Sequence, residues 1–376
     1  MDVMIVFKFY LNGFNYFIYR IMYGKKRKVE GRVENLVEAV RSSSLNLDGV
    51  SEEFRNCHAK ISGTLTSGLA YKTRETYYLA FNRYADFCVR NHVASLPADP
   101  EVIMTYFIYL AENGRTASPV LTARSAIRHF SLIARPNEPS PTDRHDVGLI
   151  VRSIEFRYAH PVKKAKPMTN DIIKKMICEI LKGEQFLESN FKVKISEWAF
   201  VVKTLVKFHC LARFEEMIEL RRSSFKFLES GDCEVVFTKG KCNQFHDANI
   251  VTIAATNNFY CPVRIIKTYF KVINSSYDYF LYPRFLKDEV LLDVPASYNY
   301  SLIKLRETLR SLGYEDFEEF SEHSDRVGGL STAANAGVSL DLIQVQGRMK
   351  SDKVPKMYHK RSLQLRRNFS TVLSKS

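Results

Sequence analysis

The sequence predicts a mainly α-helical protein with a small antiparallel β-sheet, divided between two domains. Three observations carry this reading. A chain of 376 residues is too long to be comfortable around one core. Helix start and stop signals recur along most of it. A basic, proline-flanked segment at 159 to 167 separates a first helical stretch from a second stretch that holds three strand-like runs.

The first 23 residues are rich in aromatic and aliphatic side chains, but Lys8, Asn12, Asn15 and Arg20 interrupt them. Neither the pattern of a spanning helix nor that of a signal peptide fits. Lys25-Lys26-Arg27-Lys28 follows, which reads as a short nuclear-import signal or as a solvated basic turn, with a basic-flanked membrane anchor as a third reading. Residues 30 to 65 are polar with little periodicity. The whole of 1 to 65 is therefore expected to be a poorly ordered or atypical extension, with order beginning near residue 66.

From 66 to 158 the pattern predicts a helical bundle. Tyr77, Phe81, Tyr84 and Cys88 form the stripe of an amphipathic helix that stops near Asn91. Asp99-Pro100-Glu101 combines a capping side chain, a proline at the first helical position and an acid in the first turn; this helix should end at Asn113-Gly114. Ser118-Pro119 opens a third, which Arg135-Pro136 breaks, and along it Arg124 and Arg128 share one face. A fourth is expected from Thr142 to about Tyr158, with Val147, Ile150 and Ile154 on its apolar side.

The linker, 159 to 167, carries Lys163, Lys164 and Lys166 between Pro161 and Pro167. It reads as a basic strap around a duplex or as a plain solvated connection. The second domain, 168 to 376, is expected to have helices at about 170 to 182 and 196 to 211. Strands follow at 225 to 227, 234 to 238 and 249 to 254, and helices again from Pro262 to a basic C-terminal tail.

Composition narrows the partner. Lys and Arg number 55 against 41 Asp and Glu, a net charge of +14 that favours a polyanion. Nucleic acid leads, although an acidic membrane surface or a ribosomal partner would suit the same charge. The seven cysteines are scattered and form no CxxC pair, which argues against a disulfide framework or a zinc site and for reduced thiols in an intracellular, not secreted, protein. No nucleotide-binding loop or carboxylate cluster is evident.

Reactive side chains occur in the second domain in an informative order. Arg213 and Glu216 are one helical turn apart, so that the carboxylate can hold the guanidinium fork. Lys239 and Lys241 sit on the turn between two strands. His323 and Arg326 stand at a helix start, where free backbone N–H groups favour an anion. Gln346-Gly347-Arg348-Met349 and then Met357-Tyr358-His359 follow.

In this order the chain resembles the phage-integrase family of tyrosine recombinases, particularly the branch carried by eukaryotic mobile elements. That family's order is Arg, a hairpin Lys, His-x-x-Arg, a His or Trp, and a nucleophilic Tyr; here Arg213, Lys241, His323, Arg326 and Tyr358 match it. Lys241-Cys242-Asn243-Gln244 is similar to the Lys-Thr-Asp-Gln of that branch, which favours Lys241 over Lys239. The resemblance covers roughly 66 to 365. It implies an N-terminal helical core-binding (SAM-like) bundle and an α+β catalytic domain. It further implies attack by Tyr358 on a scissile phosphate to form a 3′-phosphotyrosine, with protonation of the leaving 5′ oxygen by Lys241.

On this reading double-stranded DNA is the partner, met by Arg124, Arg128, Lys163, Lys164, Lys166 and Lys239. No metal, ATP or other cofactor is required, the protein self-associates as a dimer on a site and a tetramer in synapsis, and a eukaryotic member would work in the nucleus. Met349 departs from the pattern, since a thioether cannot donate a hydrogen bond to phosphate although it can replace the packing of a Trp. Gly328-Gly329 weakens a helix and reads as close backbone approach to DNA or as drift. A DNA-binding protein that keeps the fold with weakened or lost chemistry is the alternative, and a type IB topoisomerase shares the chemistry.

Overall fold

The computed structural model describes residues 30–41, 47–159, 164–183, 185, 193–238, 249–273, 278–286, 291–361 and 367. The apolar first 23 residues, the basic cluster at 25–28, Lys163, Lys239, Lys241 and nearly all of the tail after Arg361 lie outside the described residues. The chain divides into two units, Met1–Val162 and Lys163–Ser376.

In the first unit the expected helices form where their caps place them. They are α4 (Tyr71–Arg90), α5 (Pro100–Gly114), α6 (Ser118–Ala134) and α7 (His145–Arg157). The Asp99 carboxylate accepts the backbone N–H groups of Glu101 and Val102, as the capping pattern predicts. The left-handed residue that ends α5 is Arg115, one position beyond Gly114. The fourth helix starts later than expected, because Pro141–Asp143 forms a 3-10 turn before α7. Tyr78, Phe81, Tyr84, Phe107 and Phe130 build the core, with the Phe81 and Phe130 rings 4.8 Å apart.

The expectation of a loose lead-in is corrected. Residues 30–41 form a helix, α1, and α2 (Glu52–His58) and α3 (Ile61–Ser67) follow. Val33 and Val37 of α1 are buried in the core of the bundle. Tyr78 donates a hydrogen bond to Glu34 Oε1 at 2.6 Å, and Arg41 Nη1 donates to the Ile133 carbonyl at 2.7 Å. Val33, Val37 and Val40 do recur at helical spacing, but charged neighbours dilute the stripe.

The second unit is built around α9 (Ile195–His209), which follows α8 (Asn170–Ile180). Every residue from Trp198 to Phe208 is buried, so α9 is enclosed on all sides. The short α10 (Phe214–Met217) leads to the antiparallel sheet β1 (Phe225–Phe227), β2 (Cys233–Phe237) and β3 (Asn249–Ile253), in which Cys233 pairs with Ile253 and Phe237 with Asn249. The helices α11 (Pro262–Ile273), α12 (Tyr298–Ser311), α13 (Ser324–Asn335), α14 (Leu340–Gln346) and α15 (Lys353–Arg361) complete it. The return to helix after Pro262 is not continuous: β4 (Pro283–Phe285) and β5 (Leu291–Pro295) make a second, two-stranded antiparallel sheet. Prolines at both its ends hide it from a strand pattern.

The glycine pair of α13 has a structural cause. A Cβ on Gly328 would overlap the Met168 backbone, and one on Gly329 would overlap the Phe208 carbonyl. The pair lets α13 close onto the chain itself, which replaces both readings offered by the sequence.

Candidate active site

The site begins where α9 ends. Leu211 takes a left-handed conformation, φ 48°, which costs a residue with a Cβ about 1–2 kcal/mol. Its carbonyl accepts a hydrogen bond from Arg326 Nη1, so the unusual turn serves to hold that guanidinium. Two residues on, Arg213 caps α10. Glu216, 3% exposed, receives Arg213 Nη1 on Oε1 at 2.5 Å and the Arg213 backbone N–H on Oε2 at 3.0 Å. Arg326 Nη1 stands 4.0 Å from the same carboxylate, and Arg326 Nη2 donates to the Gly347 carbonyl at 3.3 Å.

One carboxylate thus gathers more guanidinium charge than it neutralises, and the surplus is positive. Burial alone would push the Glu216 carboxyl up, but Arg348 and Arg213 outweigh it and hold it below its ordinary value. Burial and the neighbouring Arg213 bring Arg326 down to about 10, so it stays charged at neutral pH. His323 stands at the N-cap position of α13 without a side-chain capping bond, and the residue is exposed. Desolvation by the surrounding protein, then Arg326, Lys207 and Arg213, lower its imidazole below the ordinary value.

Tyr358, on α15, is half-buried and packs against Leu211, Leu330, Ile343 and Met349. Its phenol lies within electrostatic range of Arg326. Met349, 9% exposed, is part of that apolar cluster, as its reading as a packing residue expects.

Beneath His323 and Arg326 lies a buried ionic quartet that the sequence reading missed. Lys203 and Lys207 project from α9, and Glu322 and Asp325 flank His323; all four are at most 2% exposed. Lys203 Nζ is 3.0 Å from Glu322 Oε1, and Lys207 Nζ is 2.6 Å from Glu322 Oε2 and 2.9 Å from Asp325 Oδ2. Ser301 Oγ donates to Glu322 Oε1 at 2.7 Å. The quartet is neutral in sum, which allows its burial. The i, i+4 spacing of the lysines was the available signal, but on an apolar helix such lysines read as a solvated edge.

The structure therefore brings Arg213, Glu216, His323, Arg326, Met349 and Tyr358 into one region. Arg348 joins them without having been singled out by the sequence: its Nη2 donates to Glu216 Oε2 at 2.8 Å. Lys241 and Lys239 lie outside the described residues. Lys164 is exposed, whereas Lys166 forms an ion pair with Asp316. In the first unit Arg128 Nε meets both Asp143 oxygens at 3.1 Å and Arg124 Nη2 donates to the Thr142 carbonyl at 3.3 Å. Among the described residues there is no group of His, Cys, Asp and Glu that could hold a metal, and no helix long and apolar enough to cross a membrane.

No protein-family model matches the chain, and no curated protein matches its sequence. Solved structures do match. The site-specific recombinase XerH, in a post-cleavage complex with palindromic difH substrate, aligns with a TM-score of 0.56 at 13% identity over 91% of this chain and 95% of its own. The Tn1549 transposon integrase, in complex with a circular intermediate DNA, aligns with a TM-score of 0.53 at 11% identity over 91% and 99%. XerH bound to difH before cleavage gives 0.52 at 14% over 87% and 90%. The chain is mainly helical with small antiparallel sheets, and its fold matches that of tyrosine recombinases.

Proposed function

We propose that this protein is a tyrosine site-specific recombinase that breaks and rejoins double-stranded DNA. The observation that carries the proposal is the convergence of Arg213 and Arg326 on Glu216, with His323 at the rim and Tyr358 packed against Leu211, whose carbonyl holds Arg326. A scissile phosphate placed among these groups has its nonbridging oxygens faced by two guanidiniums and an imidazole N–H, which neutralise the charge that grows in the transition state. The Tyr358 phenol gives up its proton to solvent as its oxygen attacks phosphorus, the bond to the 5′ oxygen breaks, and Lys241 protonates that oxygen as it leaves. The phosphotyrosyl ester conserves the bond energy, so a 5′ hydroxyl reverses the step to reseal the strand.

Arg124, Arg128, Lys163, Lys164, Lys166 and Lys239 meet the duplex phosphates. The exposed Arg128–Asp143 pair contributes at most about 1 kcal/mol, so exchanging the carboxylate for phosphate costs little. Recombination proceeds through dimers on each site and a tetramer in synapsis, in a eukaryotic mobile element acting in the nucleus. Removing the basic tail after Arg361 is expected to abolish synapsis while leaving cleavage of single sites; gel mobility of the paired complex checks this.

Met349 favours a second reading, a DNA-binding protein with this fold whose chemistry is lost, because a thioether supplies no hydrogen-bond donor there. A nicked suicide duplex separates the two. Its sequence comes from selection of random duplexes on the protein, and the short strand past the nick diffuses away after cleavage. A covalent protein–DNA adduct that disappears in Tyr358→Phe is the expected result. DNA binding without any adduct would establish the binder instead.

A further inference from the structure

We propose that Arg348 is a positioning residue for strand cleavage: its guanidinium fixes Glu216, and through Glu216 the Arg213 fork, while clamping the turn that leads towards the Tyr358 helix. The proposal rests on the recombinase reading above.

Arg348 is held from several sides. Nη2 donates to Glu216 Oε2 at 2.8 Å, and Nη1 donates to the carbonyls of Cys210 at 2.9 Å and Gln346 at 3.0 Å. The guanidinium carbon lies 3.9 Å from the centre of the Phe237 ring, at the end of β2. Its side chain is only 8% exposed, so it is enclosed and not a surface cation. The backbone at Arg348 is left-handed, φ 51°, a conformation that glycine would adopt freely. An arginine kept at such a position has its cost offset by the contacts of its side chain.

The two preceding residues point the same way. Gln346 Nε2 donates to the carbonyls of His209, at 2.9 Å, and Thr252 of β3, at 3.3 Å. The Gly347 carbonyl accepts Arg326 Nη2, and a Cβ on Gly347 would strike Met349. The turn 346–348 therefore joins the end of α9, both strands of the β2–β3 hairpin, Arg326 and Glu216 immediately before Met349.

The chemical consequence is specific. The charged groups facing Glu216 are Arg213 of its own helix start, Arg326 of α13 and Arg348. Of the charges that favour its ionised form, Arg348 is the strongest. With Arg348 removed, burial is opposed less, the carboxyl rises, and protonation frees the Arg213 fork at a higher pH. Met349 supplies no donor of its own, so the geometry of the remaining cations depends on this turn.

The test compares the full chain with Arg348→Met and Arg348→Lys on the selected nicked duplex at saturating DNA. Adduct formation should slow about a hundredfold in Arg348→Met, the loss that follows from misplacing a reacting group by about 1 Å. The DNA Kd should stay unchanged, and the acid limb of the rate profile should move up in pH. Arg348→Lys should return the acid limb to its wild-type place and recover the rate only in part, because an ammonium cannot form the fork. A rate per folded molecule equal to wild type in Arg348→Met, or an acid limb that does not move, overturns the proposal. A wild-type chain that binds the duplex and forms no adduct overturns the recombinase reading and this proposal with it, so the two failures are told apart by the wild-type lane.

Discussion

Arg326→Met is expected to lose strand cleavage by about a hundredfold to a thousandfold, the effect of removing one preorganised donor from a transition-state anion, and to lower stability by about 3 kcal/mol. Arg326 differs from a surface arginine in what it leaves behind. Its fork satisfies the carbonyls of Leu211 and Gly347 in the interior, and Leu211 adopts a strained backbone to present its carbonyl. A methionine fills the volume but donates nothing, so two buried acceptors lose their partner and Glu216 loses a neighbouring charge. Arg326→Lys keeps the charge and cannot span both carbonyls, so it should fold better than Arg326→Met and cleave little better. Urea unfolding and single-turnover cleavage measure the two effects separately. Wild-type cleavage by either variant would remove Arg326 from the reaction.

Lys207→Met is expected to be the most destabilising single change away from the reacting groups, by about 3–5 kcal/mol, because it leaves two buried carboxylates facing Lys203 alone. The effect should show as a lower urea midpoint at unchanged slope. Adding Asp325→Leu to Lys207→Met restores neutrality in sum and should recover much of the loss, as replacement of a buried pair by apolar groups generally does. The quartet also sets the acid response. Burial would raise Glu322, but Lys203 and Lys207 prevail and hold its carboxyl at about 2, against an ordinary value of 4.5. Between these values the unfolded chain binds the proton and the folded one does not, so stability falls as pH drops from 4.5 towards 2. In Lys207→Met the folded value rises and that slope should flatten, which urea titrations across the window would register.

Much of the fold was legible because local chemistry punctuates it. Asp99-Pro100 and Ser118-Pro119 open helices where capping and fixed proline geometry require them. What stayed hidden depends on tertiary context. Nothing local in Glu30 to Arg41 announces that Val33 and Val37 have a core to enter, and proline masks the β4–β5 hairpin. The order Arg213, Lys241, His323, Arg326, Tyr358 was readable as a family pattern; the structure brings Arg213, His323, Arg326 and Tyr358 into one region, and Lys241 lies outside the described residues. Lys203 and Lys207 were not readable, since burial of lysine depends on acids more than 100 positions away. Arg348 was not either, because its role rests on a left-handed backbone and on Glu216, 132 positions earlier. Gly328 and Gly329 were read as close approach to DNA or as drift, and neither holds: the backbone they admit is that of Met168 and Phe208.

The central proposal is that Tyr358 is the nucleophile. Trapping the adduct on the selected nicked duplex, digesting the DNA to a short nucleotide remnant and sequencing the modified peptide by mass spectrometry tests it directly. The expected product is a nucleotide joined through its 3′ phosphate to the phenolic oxygen of Tyr358. A remnant on any other residue, or an adduct of unchanged yield in Tyr358→Phe, would contradict it.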